Sequence, residues 1–456
     1  MDGNFAMPQT ALPSPPDSHI PSRSGSSSSD DLCLNDEDTD LLLQLHARTF
    51  DTFALPAFFY PSRFGCGREL HHRQLLRAAV TLSRPFLPND EMHRHLRLAL
   101  QDPRFCDLAL DGSDTSLPTL QTCILLTLHR LLEGGTRAAA SCIDICISMA
   151  HRLGLHLISE DRSPCQEKKR RIWWTVWQLD LHRCIMEGGN VTTMFPATHL
   201  PSESWTSLSS PALEKDLSRR WKVLMDQDAP PLVWALAAAS LLYEGRQVTS
   251  PEYSLQVQSL ELAVGCFEAA LPPNLQLHRS TDHTTLIIHL YIQGTKLLLY
   301  RSFASSGGSL GFLRNMVAGI PDAVDAAGPL PPYRAWSQFL AASDEIVYLI
   351  RQFPRQFRHL PLLSYIAWAA AVVQVVVSSF SPDPQQRSIA DAKVNLVGFF
   401  IARSDEAMAR RLREFHSLLL DFCTTCLPTK WDGEIQDITC DLFSCDQTTP
   451  FFERLS

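Results

Sequence analysis

The stretch Ala138–Gly189, AAASCIDICISMAHRLGLHLISEDRSPCQEKKRRIWWTVWQLDLHRCIMEGG, decides the fold. Two helices and a polar connector can be read from it. The first covers about Thr136 to Leu153, with Ile143, Ile147 and Ala150 at helical spacing and Cys146 beside them. Gly154 stops it, because glycine takes the left-handed conformation of a helix C-cap, and Leu155 can fold back over the last turn. His151 and Arg152 sit in that last turn, where positive charge suits the helix dipole. The second helix starts at Ser163, whose hydroxyl can cap it. Pro164 suits the first helical position and Gln166 completes a capping box. Its body, Ile172, Trp173, Trp174, Val176, Trp177, Leu179 and Leu181, is apolar on nearly every side, which predicts a helix buried from several directions.

Around this stretch lies material for a sizeable core. The chain has 456 residues, of which 45 % are hydrophobic and 20 % charged, an ordinary globular balance. A net charge of −9 argues against a chain-wide electrostatic footprint for nucleic acid. The thirteen cysteines are scattered and odd in number, and Met1 to Ser28 has no apolar signal-peptide core, so reduced intracellular thiols are expected.

Residues 1–40 read as a disordered Pro/Ser-rich leader with an acidic edge. The mixed acidic and leucine residues of Asp30 to Leu45 read as the edge of a domain rather than an activation segment, because an apolar pattern continues directly from them. Residues 41–427 form the expected helical domain and 428–456 an acidic tail. Helices are expected from Leu41 to Phe86 with breaks at Pro56 and Pro61, and from Asn89 to Leu100. Leu117 to Leu132 is a clear helix, capped by Ser116, with Leu120, Ile124, Leu128 and Leu131 on one face. Further helices are expected over Pro211–Gln227, Pro231–Tyr243, Ser250–Ala270, Thr281–Phe303 with an interruption at Gly294, Ala335–Arg351, and from Asp391 to Cys426. Pro361 to Phe380 carries no charge and is long enough for a membrane span, but Ser364, Tyr365, Gln374, Ser378 and Ser379 favour a buried core helix. Strand signals are few. The fold class is all-α, a large multi-helix domain of packed antiparallel helices.

Chemistry-bearing motifs are weak. Gly307-Gly308-Ser309-Leu310-Gly311 matches a nucleophile elbow as a string, with Asp344, Glu345, His359 and His416 downstream. The elbow needs a strand before it, and a helix precedes it here. Cys423 and Cys426 with Cys440 and Cys445 could supply four thiolates, but Cys423 and Cys426 also fit a helix face ending at Pro428. Cys142 and Cys146 lie on a helical face expected in the core. Lys168-Lys169-Arg170-Arg171 has the composition of a nuclear localisation signal, but it reads first as a solvated helix face whose arginines pair with carboxylates or stack on Trp173 and Trp174. Asp180, inside an apolar helix, wants a partner, and Arg183 is the local candidate. No catalytic, cofactor-binding or metal-binding residue is assigned, and no cofactor is expected.

The order Ala138-Ala139, Met149-Ala150, Leu153-Gly154-Leu155-His156, Glu167, Arg170-Arg171, Trp173-Trp174, Asp180 and Gly188 resembles the middle homology region of fungal zinc-cluster transcription factors, the fungal-specific transcription factor domain. Gln121, Leu200-Pro201-Ser202 and the LLYRSF run Leu298 to Phe303 are weaker echoes of the same family. Where the family often has Gly-Arg-Pro, this chain has Gly188-Gly189-Asn190. Only Cys33 and Cys66 lie in the first hundred residues, so the family's six-cysteine DNA-binding cluster is not expected there. The resemblance implies a nuclear transcriptional regulator without its own zinc cluster, one that controls a fungal specialised-metabolite gene cluster. It implies other transcription factors or coregulators as partners, indirect contact with DNA, a small-molecule effector and no membrane. Two other classes were weighed against it: a serine hydrolase using Ser309 and a membrane-tethered scaffold resting on Pro361–Phe380.

Overall fold

Helix ends leave backbone groups that a cap must satisfy; the expected caps at Ser116 and Gly154 are in place, and Ser163 lies outside the described residues. The computed structural model describes residues 115–132, 136–158, 164–187, 191–193, 231–248, 254–279, 282–305, 332–353, 361–402, 409–410, 412–414, 416–417 and 419–420. Within them lie nine α-helices with defined ends, two 3-10 turns, further helical residues between 409 and 420, and no strand. The helices are α1 (Leu117–Leu132), α2 (Thr136–Arg152), α3 (Pro164–Glu187), α4 (Pro231–Gln247), α5 (Ser254–Ala270), α6 (His283–Ser305), α7 (Pro332–Gln352), α8 (Pro361–Phe380) and α9 (Pro384–Ile401). The expected leader, the helices before residue 101, the helix at 211–227, the Gly/Ser turn and the acidic tail lie outside the described residues.

Ser116 caps α1, its hydroxyl accepting from the Thr119 amide at 3.3 Å. Asp282 caps α6 in the same way, accepting from the Thr285 amide at 3.0 Å. The last helix starts earlier than the expected Asp391: Asp383 accepts from the Gln385 amide at 2.9 Å and Pro384 occupies the first turn. A capping Asp followed by Pro is the signal that marks this start.

The antiparallel arrangement is visible in side-chain contacts. Arg130 near the end of α1 reaches Ala138 at the start of α2, and the earlier Thr127 reaches the later Cys146. Along α5 and α6, Glu268 meets Lys296 whereas the earlier Glu261 meets the later Tyr300. α4 packs on α6, α6 on α7, α7 on α8 and α8 on α9, while α3 touches α2, α4 and α8. The side chains of Trp173, Trp174, Trp177, Trp234, Phe267, Phe339 and Phe400 are fully buried in the core these helices enclose.

Gly294 does not interrupt α6, which runs unbroken through it. A Cβ at that position would lie 3.0 Å from Leu242 Cδ1 and 3.3 Å from Ile366 Cδ1, so the missing side chain is what lets α4 and α8 approach α6. Gly245 on α4 makes the reciprocal contact, since its Cβ would lie 3.1 Å from the Thr295 carbonyl oxygen. Both glycines forgo helix propensity in return for close packing.

Leu362–Phe380 of α8 is long and apolar enough to cross a membrane by composition, yet 94 % of its most apolar window is buried inside the protein. Gln374 and Ser378 of this helix face protein partners. Gln374 donates to Ser343 Oγ at 2.7 Å and to Asp344 at 2.8 Å, and Ser343 donates to the Ala370 carbonyl at 2.9 Å. The Gln374 NH2, donating twice in this way, fixes the register of α8 on α7.

Gly245→Val, which forces side-chain carbon against the Thr295 backbone, is expected to lower folding stability by about 1–3 kcal/mol despite leaving a residue that favours helix over glycine. The denaturant midpoint of the full chain measures this, and an unchanged or raised midpoint would contradict the close-packing role.

Candidate functional site

The α2–α3 unit is where sequence and geometry concentrate polar chemistry. α2 stops as expected. Gly154 adopts φ 67° and ψ 22°, its amide donates to the His151 carbonyl at 3.0 Å, and Leu155 turns inward with 1 % of its surface exposed. This turn brings two histidines onto one tryptophan. His151 meets Trp173 edge-on with ring centroids 5.4 Å apart, His156 lies 5.8 Å from it, and the two imidazoles are 4.6 Å apart. Burial, and secondarily the neighbouring His156, hold the His151 pKa below the usual imidazole value, which favours its neutral form against Trp173.

On α3 the arginines of the basic run pair with a carboxylate as expected, but the face is buried rather than solvated. Arg170 and Arg171 are not on a solvated face: they are 6 % and 7 % exposed, and both point at Glu167, itself 3 % exposed. Arg170 donates to Glu167 at 2.8 Å and Arg171 at 3.2 Å. The spacing that reads as a charged surface, i to i+3 and i to i+4, here forms a buried triad across the first turns of the core helix. Lys168 and Lys169 remain partly exposed.

Asp180 is the densest node. Its side chain is fully buried, and one oxygen accepts from the Arg183 guanidinium at 2.6 Å. The other accepts four donors from a short segment beyond the helix: the Thr192 amide at 2.8 Å, the Thr192 hydroxyl at 3.0 Å, the Thr193 amide at 2.7 Å and the Thr193 hydroxyl at 2.8 Å. Arg183 also donates to Asp144 on α2. Burial works against the Arg183 charge, but the carboxylates of Asp180 and Asp144 outweigh it and hold the guanidinium charged. The partnership of Asp180 with Arg183 is legible from spacing. The threonines are not, because nothing local ties residues 192 and 193 back to a helix that ended earlier.

Two further contacts carry this node to α4. Tyr243 accepts from the Val191 amide at 3.2 Å, and Arg246 donates to the Ile185 carbonyl at 3.2 Å. Beside it, His182 shares a 3.2 Å hydrogen bond with Tyr291 of α6. Burial pushes the His182 pKa down to about 3 and the Tyr291 phenol up, so both are neutral at physiological pH.

Reactive chemistry is not assembled in these residues. Cys142 and Cys146 lie in the α1–α2 core with Cys123. Arg130 donates to Cys142 Sγ at 2.8 Å, but the neighbouring Cys123 thiol and burial push the Cys142 pKa far up, which keeps it protonated and a poor nucleophile. Among the described residues no group of three or more His, Cys, Asp or Glu side chains could hold a metal. Ser309, His359 and Cys423, Cys426, Cys440 and Cys445 lie outside the described residues. Asp344 is tied to Lys393 at 2.6 Å and to Gln374.

One serine, histidine and carboxylate do meet in space without any sequence signal. Ser378 Oγ lies 3.0 Å from His416 Nε2, and Asp391 lies 3.3 Å from the same nitrogen. A catalytic relay needs the serine and the carboxylate on opposite ring nitrogens, so this trio cannot pass a proton along the ring. Ser378 also donates to the Val375 carbonyl of its own helix and is 2 % exposed.

Three expectations follow from the node. Asp180→Asn removes the charge that Arg183 and the threonines address, and should cost about 3–5 kcal/mol of stability. Thr193→Val deletes one hydrogen bond and should cost about 1 kcal/mol. Asp144→Ala, whose carboxylate is largely exposed, should cost less than about 1 kcal/mol. Denaturant titration tests the ranking, and an Asp180→Asn cost no larger than that of Asp144→Ala would refute it. Because His182 titrates near 6.5 when unfolded and about 3 when folded, its contribution is fully present above pH ~6.5 and is lost as pH falls toward 3. His182→Gln should therefore flatten the acid limb of stability against pH, and an unchanged slope would contradict the assignment.

Residues 72–218 match the family described as the fungal specific transcription factor domain. No curated protein and no solved structure matches the chain. The matched segment contains α1, α2 and α3, and with them the Gly154 turn, the Glu167 triad and the Asp180 node. Residues 72–218 thus carry a fungal specific transcription factor domain, which supports a fungal transcription regulator.

Proposed function

We propose that this regulator works in the nucleus, that it controls a specialised-metabolite gene cluster, and that it does so through its helical domain and through partners. The observation that carries the reading is the match over residues 72–218, coinciding with an α2–α3 unit whose polar groups hold helices together. The partners are other transcription factors or coregulators, DNA is contacted indirectly, and a small-molecule effector modulates the domain. Residues 41–427 act as one regulatory domain between a Pro/Ser-rich leader and an acidic tail. A net charge of −9 supports indirect action, since it supplies no general attraction to phosphate backbones.

An enzymatic role gains nothing from the described residues. The neutral buried thiols and the Ser378–His416–Asp391 geometry both lack an activated nucleophile.

Deleting the gene and profiling transcripts should change the expression of a defined, co-regulated gene set, and an unaltered transcriptome would refute the regulatory reading. The purified full chain should show no sequence-dependent DNA binding, and tight binding to one sequence over scrambled duplexes would overturn the indirect-action clause.

A further inference from the structure

Three thiols gather between α1 and α2. Cys123 of α1 and Cys142 and Cys146 of α2 are all buried. Cys123 Sγ lies 3.7 Å from the Cys142 carbonyl oxygen and within hydrogen-bond reach of the Cys142 and Cys146 thiols. A cysteine in a core packs as a small apolar residue, and packing alone does not require one thiol to face another. Cys184, in the core side of α3, donates to Asp180 instead.

A cation stands over one of the three. Arg130 donates to Cys142 Sγ at 2.8 Å and to the Ala138 carbonyl at 3.3 Å, and the second contact lies at the surface. Cys142 therefore sits one side chain below solvent, next to exposed Ser141. A guanidinium on sulfur favours negative charge there. It works against Cys123 and burial, which keep the resting thiol protonated. A thiol near the edge, a cation on it and a second thiol in contact behind it are the parts by which one sulfur is oxidised and then captured by another.

We propose that Cys142 and Cys123 form a redox-modification site, in which a hydroperoxide oxidises Cys142 and Cys123 captures it as a reversible disulfide between α1 and α2. With hydrogen peroxide, the Cys142 sulfur attacks one oxygen and the O–O bond breaks. The leaving hydroxide takes the Cys142 proton, so the products are a sulfenic acid and one water. Cys123 Sγ then attacks the sulfenic sulfur and the S–O bond breaks. The hydroxyl leaves with the Cys123 proton as a second water. The two thiols together lose two electrons, one peroxide gains them, and a dithiol reductant restores both thiols. Because Cys142 is protonated at rest, capture is slow, and the pair records sustained oxidant rather than a pulse. Cys146 is engaged by the Thr127 hydroxyl at 3.8 Å and stays outside the pair. The linked residues are 19 positions apart. Closing that loop restricts the unfolded chain, so the disulfide locks α1 to α2 inside the segment that carries the family match.

Peptide mapping of the full chain by mass spectrometry, after exposure to hydrogen peroxide and alkylation of the remaining thiols, tests the proposal. The native chain should yield a Cys123–Cys142 cross-linked peptide that dithiothreitol removes, and this map decides without any variant. The oxidised chain should unfold at a higher denaturant midpoint than the reduced one. Cys123→Ala should leave Cys142 as a sulfenic acid that dimedone traps. Arg130→Gln should slow cross-linking about tenfold through loss of the cation that favours the thiolate, and Arg130→Lys should restore most of the rate. The proposal is overturned by a native chain whose Cys142 stays reduced, or passes to sulfinic acid with no cross-link. It is equally overturned by Cys123 joined to Cys146 instead, by a cross-link that forms only in denaturant, or by an Arg130→Gln rate equal to the native one.

Discussion

A fully buried carboxylate is tolerated only if its charge is met, and Asp180 sits at 0 % exposure in the middle of the tryptophan-rich helix α3. That constraint orders the surrounding structure. Arg183 must stay beside it, and through Arg183 α3 is tied to Asp144 on α2. Thr192 and Thr193 must present both amides and both hydroxyls to it, which brings the chain back against the helix it has just left. Val191 is thereby placed under Tyr243, and α4 follows, reaching α6 through the glycine contacts at 245 and 294. Few other single groups in the described residues touch so many elements in so few steps.

The α2–α3 unit was legible because its signals are local. A Gly turn, a Pro at a helix start and a period of apolar residues each act within a few positions, and local rules read them. What escaped was non-local. The donors from Thr192 and Thr193 are separated from Asp180 by a helix end and a turn. The buried state of Arg170 and Arg171 depends on what packs over them, and spacing alone describes an exposed i to i+4 cluster equally well. Gly294 reads as a helix breaker by propensity, yet a glycine that admits two neighbouring helices is indistinguishable in sequence from one that ends a helix. In α8, Gln374 was the informative residue, because a lone amide in an apolar helix predicts a polar partner, and Ser343 and Asp344 supply it.

The same comparison bears on function. Polar groups that could act chemically are occupied in holding helices: Glu167 by two arginines, Asp180 by Arg183 and two threonines, Asp344 by Lys393 and Gln374. The Cys123 thiol and burial keep the Cys142 thiol neutral, and burial does the same for the His182 imidazole. Among the described residues these groups serve packing, which accords with a fungal specific transcription factor domain. Its motif residues point to the family while serving architecture.

The dependence of this arrangement on Asp180 is tested most directly by hydrogen exchange at the amides of Thr192 and Thr193. Both donate to a buried carboxylate rather than to secondary structure, so their protection reports the node itself. The account predicts exchange as slow as that of the α3 amides, through an opening free energy close to that of the core. Exchange at the rate of an open loop, with α3 still protected, would show that the segment is not held and would contradict it.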